Sequence, residues 1–172
     1  RDRLRSRGLG DVYKRQHQKH SGENLEYLDP ETNEKYLPYV IEPSLGVERL
    51  LLAVLTSAYE EETLSDGETR EVLHFDPRVA PVKVAILPLV NKLNDKALEL
   101  YQMLKKYFVC EYDSSGKIGK RYRRQDAIGT PYCLTVDFET LENNSVTLRN
   151  RDSMEQFRIN IDDLLKYLND KF

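Results

Sequence analysis

From Val82 to its end the chain alternates apolar runs with amphipathic segments, and this alternation restricts the fold more than any other feature. VKVAILPLV is an unbroken apolar run of strand type, the kind that is covered on both faces. Asp95 to Phe108 follows at helical spacing, with Ala97, Leu98, Tyr101, Leu104 and Phe108 on one face, and VCEYD reads as a second strand. GKIGKRYRRQDAIG reads as a helix. YCLTVDFE and SVTLRNRD read as strands joined by a turn at Glu142 to Asn144. A last strand, Phe157 to Ile161, leads into a helix from Asp162 to Phe172 that Asp162 would cap. The pattern predicts an α/β layer with a mixed sheet over residues 81–172.

Upstream, YVIEPSLGVERLLL joins a short strand to a helix. Lys35 to Ile41 alternates as a half-buried strand does, and Val47, Leu50, Leu51, Val54, Leu55 and Ala58 fall at helical spacing. Pro43 and Ser44 mark the start of that helix, with Ser44 as its N-cap, but Val47 rules out a Ser-x-x-Glu capping box. Gly46 permits close approach of backbone to a ligand. Arg49 lies off the leucine stripe beside small Ala53 and is free to present a planar fork suited to phosphate oxygens. The plainer reading of Glu42 and Arg49 is a surface ion pair worth at most about 1 kcal/mol. Leu25 to Leu28 and Lys35 to Ile41 predict a β-hairpin around DPETNE.

This strand, turn and helix resembles motif 3 of the class II aminoacyl-tRNA synthetases, and the wording EPSLGVER resembles the dimeric glycyl-tRNA synthetases more narrowly. QHQKHSGENLEYLDPETNEKYLPYV upstream and nearly everything downstream resemble the same family. The resemblance implies the C-terminal part of a class II antiparallel-sheet catalytic core followed by an α/β anticodon-binding domain. It implies a glycine-tRNA ligase using ATP with Mg²⁺, working on glycine and tRNA(Gly) as a cytoplasmic homodimer. Arg49 would be catalytic, stabilising phosphate charge. Glu42, Pro43, Ser44, Leu45 and Gly46 would bind glycine, Glu42 holding the ammonium, and Gly46, Val47, Glu48 and Arg49 would bind ATP. Steric exclusion suits a glycine pocket, because a missing methyl rewards binding by only about 1–3 kcal/mol. Motifs 1 and 2 would lie upstream, so the chain alone is expected to be inactive. The competing class is a non-catalytic nucleic-acid-binding accessory module on a synthetase-like fold. Glu42, Ser44 and Arg49 argue against it, since a binding module has no use for them.

Lys117, Lys120, Arg121, Arg123 and Arg124, with Tyr122 among them, form the densest basic cluster. Cations supply phosphate contacts and an aromatic ring can stack on an unpaired base, which suits an anticodon loop. The alternative is a solvated helix face with Tyr122 or Ile118 turned to the core. A net charge of −3 conceals an uneven distribution. Residues 16–81 carry five Lys/Arg against fourteen Asp/Glu, and residues 82–124 carry ten against four, so nucleic-acid contact is sought in the second stretch.

The remaining features set outer bounds. The chain has 172 residues, 40% hydrophobic and 32% charged, and contains neither a transmembrane run nor a signal-peptide core. Cys110 and Cys133 sit in separate strand-like stretches without metal-ligand spacing and read as packed thiols. His17 and His20 read as exposed loop residues, and no protein-bound metal is expected. Residues 17–62 read as the end of the catalytic core and 63–80, rich in charge and turn residues, as a linker. Residues 1–16 do not resemble the family, and LGDVYKRQ resembles adaptor-derived sequence found at the ends of translated environmental assemblies. Residues 1–16 are therefore expected to be non-native, a basic arm for nucleic acid being the alternative.

Overall fold

The computed structural model describes residues 6–38, 44–64 and 67–172. Two compact units divide the chain, Arg1–Gly46 and Val47–Phe172. In the first, helix α1 runs over Ser6–Ser21, through the expected break at residue 16. It closes where Gly22, at φ 74°, donates its N–H to Gln18 O at 3.0 Å. His17 and His20 are exposed as expected, but on a helix rather than a loop. The expected hairpin forms from strands β1 (Tyr27–Leu28) and β2 (Lys35–Tyr36), paired antiparallel. Its turn is held by Asp29 Oδ1, which accepts from the Glu31 N–H at 2.8 Å. The rings of Tyr27 and Tyr36 meet edge to face at 5.8 Å. Residues 39–41 of the expected second strand lie outside the described residues.

The second unit opens with α2 (Val47–Ala58) and a hairpin of β3 (Tyr59–Thr63) and β4 (Thr69–Leu73) in antiparallel register. This corrects the expected linker over 63–80. Thr69 to Leu73 alternates with period two, and its inward positions Arg70 and Val72 are both fully buried. Helix α2 buries only its last turns, where Val54, Leu55 and Ala58 meet Leu73, Phe75 and Ala80.

Beyond it lies a five-stranded sheet in the order β6-β5-β7-β8-β9. Its strands are β5 (Val84–Pro88), β6 (Cys110–Tyr112), β7 (Tyr132–Val136), β8 (Ser145–Asn150) and β9 (Gln156–Asn160). β5 pairs parallel with β6 and β7, whereas β8 pairs antiparallel with β7 and β9, giving the expected mixed sheet. Every residue of β5 and β7 is buried, because helices cover both faces. Val84 and Ile86 pack with α3 (Asn94–Leu104) and α6 (Ile161–Asn169) through Leu100, Leu104, Leu164 and Leu168. Ala85, Leu87 and Cys133 face Ile118 and Tyr122 of α4 (Ile118–Ile128).

Three local expectations are corrected. Leu98 is 40% exposed and Leu100 takes its place in the core, beside Ala97 and Leu104 of the expected face. The segment after β7 is not a strand running to a turn but a helix, α5 (Phe138–Asn143). Asp137 Oδ1 accepts the Thr140 N–H at 3.1 Å while Thr140 Oγ1 accepts the Asp137 N–H at 3.1 Å, a reciprocal cap. Asn160, not Asp162, caps α6, its Oδ1 accepting from the Asp162 N–H at 3.0 Å.

Gly129 ends α4 at φ 80°, and a Cβ there would stand 2.8 Å from Leu73 O. Gly129→Ala is therefore expected to lower the unfolding free energy by about 2 kcal/mol or more, from left-handed backbone strain and the clash with β4. Urea unfolding measures this, and a change within about 0.5 kcal/mol would contradict the close approach of α4 and β4.

Candidate functional site

The motif around Arg49 divides at Gly46. Ser44, Leu45 and Gly46 are exposed and irregular, and Glu42 and Pro43 lie outside the described residues. Helix α2 begins at Val47, so Gly46 precedes it directly and the expected N-cap at Ser44 is displaced by two residues. Val47, Glu48 and Arg49 form the exposed first turn. The N-terminal N–H groups of α2 and the Arg49 guanidinium favour negative charge at this end. Leu50, Leu51 and Leu52 were expected in part as a core stripe, yet all three are more than half exposed.

The basic cluster separates into structural and accessible members. Arg121 is 3% exposed. Its Nη2 donates to Gly116 O at 2.6 Å and its Nη1 to Pro88 O, so the guanidinium ties the carboxyl end of β5 to the loop after β6. The Tyr122 hydroxyl meets Thr135 Oγ1 at 2.5 Å, and the Arg149 guanidinium lies over the Tyr122 ring at 4.8 Å. Burial raises the Tyr122 hydroxyl above its ordinary pKa. Arg121 is thus corrected from a candidate RNA contact to a buried structural residue, and Tyr122 is half-buried against the sheet, because α4 turns both side chains that way. Arg124 donates to Asp113 Oδ2 at 2.5 and 3.0 Å, and Arg123 stands 3.9 Å from Glu68 and from Asp126. Lys117 and Lys120 are exposed.

Asp113 illustrates how the loop after β6 is fixed. Burial tends to raise its carboxyl, but the Ser115 N–H and Arg124 outweigh that effect and hold it below the ordinary carboxylate range. Burial pushes the thiols of Cys110 and Cys133 up to about 11 and about 12, leaving both protonated and inert at neutral pH.

A crevice opens at the carboxyl ends of the parallel strands. The chain leaves β5 by α3 to reach β6 on one side, then crosses by α4 to β7 on the other. Loops departing in opposite directions from neighbouring strand ends leave a cleft between them. Leu89, Val90, Asn91 and Lys92 after β5, Gly116 after β6, Phe138 after β7, and buried Arg121 line it. Phe138 is 54% exposed. Sequence reading missed this set, taking Phe138 as part of a strand. The Asp137-x-x-Thr140 cap was the local signal that would have placed it at a helix start.

The RNA binding domain of threonyl-tRNA synthetase from Cryptosporidium parvum Iowa II shares the fold, with TM-score 0.50 and 23% identity over 53% of this chain and 24% of that one. The chain belongs to the Anticodon binding domain family, which matches residues 83–171, just over half its length. It is also 63% identical over 157 residues to the glycine–tRNA ligase of Clostridium tetani, covering 91% of this chain and 34% of that protein. The glycine–tRNA ligase of Acetivibrio thermocellus is 58% identical over 158 residues, covering 92% of this chain and 34% of the relative. The expected likeness to the glycyl-tRNA synthetases is borne out. The chain spans about a third of the length of the curated relatives it matches.

Proposed function

We propose that this chain is part of a glycine–tRNA ligase that activates glycine with ATP and transfers it to tRNA(Gly). The 63% identity over 91% of the chain carries this reading. In the longer protein Glu42 holds the glycine ammonium, Pro43, Ser44 and Leu45 line a pocket too small for larger side chains, and Gly46 to Arg49 face ATP. Exposure of Arg49 at the head of α2 agrees with a phosphate ligand arriving there. Mg²⁺ enters with ATP as part of that substrate. The bare leucines of α2 become covered by the rest of a catalytic domain, and the whole enzyme works as a homodimer in the cytoplasm. Among the described residues no helix is long and apolar enough to cross a membrane.

The anticodon loop is received in the crevice at the strand ends. Phe138 offers a stacking surface for an unpaired base, while Lys92 and nearby Lys117 meet phosphates. Binding of tRNA(Gly) by the whole chain tests this. Lys92→Glu with Lys117→Glu is expected to weaken binding by roughly tenfold or more and to flatten its salt dependence by about two phosphate contacts. Phe138→Ala is expected to cost about 1–3 kcal/mol. Folded variants that retain parental affinity and salt slope would place the RNA surface elsewhere.

A further inference from the structure

Away from both sites, one group of side chains has the chemistry of a metal ligand set. Glu60 and Glu62 are two residues apart on β3, so their carboxylates leave the same face of the strand. His74 follows β4, and its backbone N–H donates to Ala58 O at 2.7 Å, which seats the ring beside those carboxylates. Nε2 of His74 lies 2.9 Å from Glu62 Oε1 and 3.6 Å from Glu60 Oε2, and its Nδ1 lies 2.6 Å from Asp152 Oδ1.

These contacts define the ring's electronic arrangement. A neutral imidazole has one N–H and one lone pair, and a carboxylate only accepts. In the neutral tautomer that places its N–H on Nδ1 toward Asp152, the Nε2 lone pair faces two carboxylate oxygens. Three acceptors converging on one point suit a shared cation, either a proton on Nε2 or a metal ion among the three. A tetrahedral ion with bonds of about 2.0–2.1 Å separates its ligand atoms by about 3.3 Å. The observed 2.9 and 3.6 Å bracket that spacing. The three ligand atoms lie within 4.8 Å of one another.

We propose that Glu60, Glu62 and His74 bind one divalent transition cation of the Zn²⁺ type, with Asp152 as the positioning acceptor on the imidazole. The neighbouring arginines leave the ligand atoms available. Arg70 Nε takes Glu62 Oε2 at 3.1 Å, so Oε1 remains for the ion. Arg151 grips both oxygens of Asp152 at 2.7 and 2.9 Å. Asp152, His74 and the ion form the carboxylate–histidine–metal arrangement that fixes a ligand ring. Glu60 is largely exposed, which gives the ion a path from solvent and leaves its fourth position to water. The bound ion clasps β3 to the end of β4 and, through Asp152, to the turn after β8.

Metal-stripped whole chain titrated with Zn²⁺ in a calorimeter tests the assignment. The chain has three histidines, and His17 and His20, exposed three residues apart on α1, are a rival chelate. Both are changed to alanine in every sample, which leaves His74 alone. One Zn²⁺ per chain is expected, and Co²⁺ in its place should give the strong visible absorption of a tetrahedral site. Glu60→Gln and His74→Gln should each weaken binding by at least about tenfold, and Asp152→Asn by about 10–100-fold. Circular dichroism without metal confirms that each variant is folded; Glu60→Gln alters an exposed side chain and serves if His74→Gln does not fold. No saturable uptake, or uptake unchanged by Glu60→Gln and Asp152→Asn, would overturn the proposal.

Discussion

Asp126→Ala is expected to destabilise the second unit by about 3–5 kcal/mol, one of the two largest effects of a single substitution anticipated in this chain. Asp126 is fully buried on α4 and takes both arms of the Arg149 guanidinium at 2.8 and 3.0 Å. A second buried arginine, Arg70, stands 3.6 Å from the same carboxylate. Removing that one negative charge leaves the buried Arg149 guanidinium without its compensating anion and Arg70 with Glu62 alone, at 3.1 Å, in surroundings that solvate charge poorly. The cost is that of orphaned charge rather than the net value of the pair. Exchanging both members, Asp126→Leu with Arg149→Met, is accordingly expected to recover most of the loss, because a well-packed apolar pair can replace a buried ion pair. Urea unfolding of the two variants decides it. A single variant within about 1 kcal/mol of the parent would show that the arginines find other compensation.

Arg49→Ala in a full-length ligase carrying this sequence is expected to raise the barrier to adenylate formation by about 3–4 kcal/mol, or 10²–10³-fold in rate. This rests on the proposed phosphate contact. Arg49 lies on an exposed turn of α2, so its loss should leave stability and tRNA affinity almost unaltered. Arg49→Lys should restore charge without the planar fork and recover only part of the rate. Glycine-dependent exchange between ATP and pyrophosphate is the measurement. Parental rates in Arg49→Ala would remove the residue from the mechanism.

The α/β alternation was legible because the two central strands, β5 and β7, are short runs buried throughout and bounded by polar turns. Buried charge was less legible. Arg121 looks like its neighbours Lys120 and Arg123, and nothing local reveals that its acceptor is the carbonyl of Pro88, 33 residues away. Arg70 lies in a stretch whose charge suggested solvent, yet its period-two alternation with Val72 carried the strand signal. The leucines of α2 have an ordinary core spacing, and periodicity alone does not say whether a partner is present to cover them. For the candidate site, the wording around Arg49 was carried by resemblance, whereas the crevice followed from strand order and needed the fold.

The side chain of Arg151 has a consequence for where this protein can be divided. It donates to Phe75 O at 2.7 Å and to Gly129 O at 2.8 Å, while its own carbonyl accepts from Arg70. One residue in the turn after β8 therefore crosslinks the β3–β4 hairpin to the end of α4. The family match begins at residue 83, but the cooperative unit of folding begins earlier, since excising the hairpin strips acceptors and cover from the arginines beneath it. The inherited module and the physical domain have different borders. The hairpin is a lid on buried charge, and the module travels intact only when it takes that lid along.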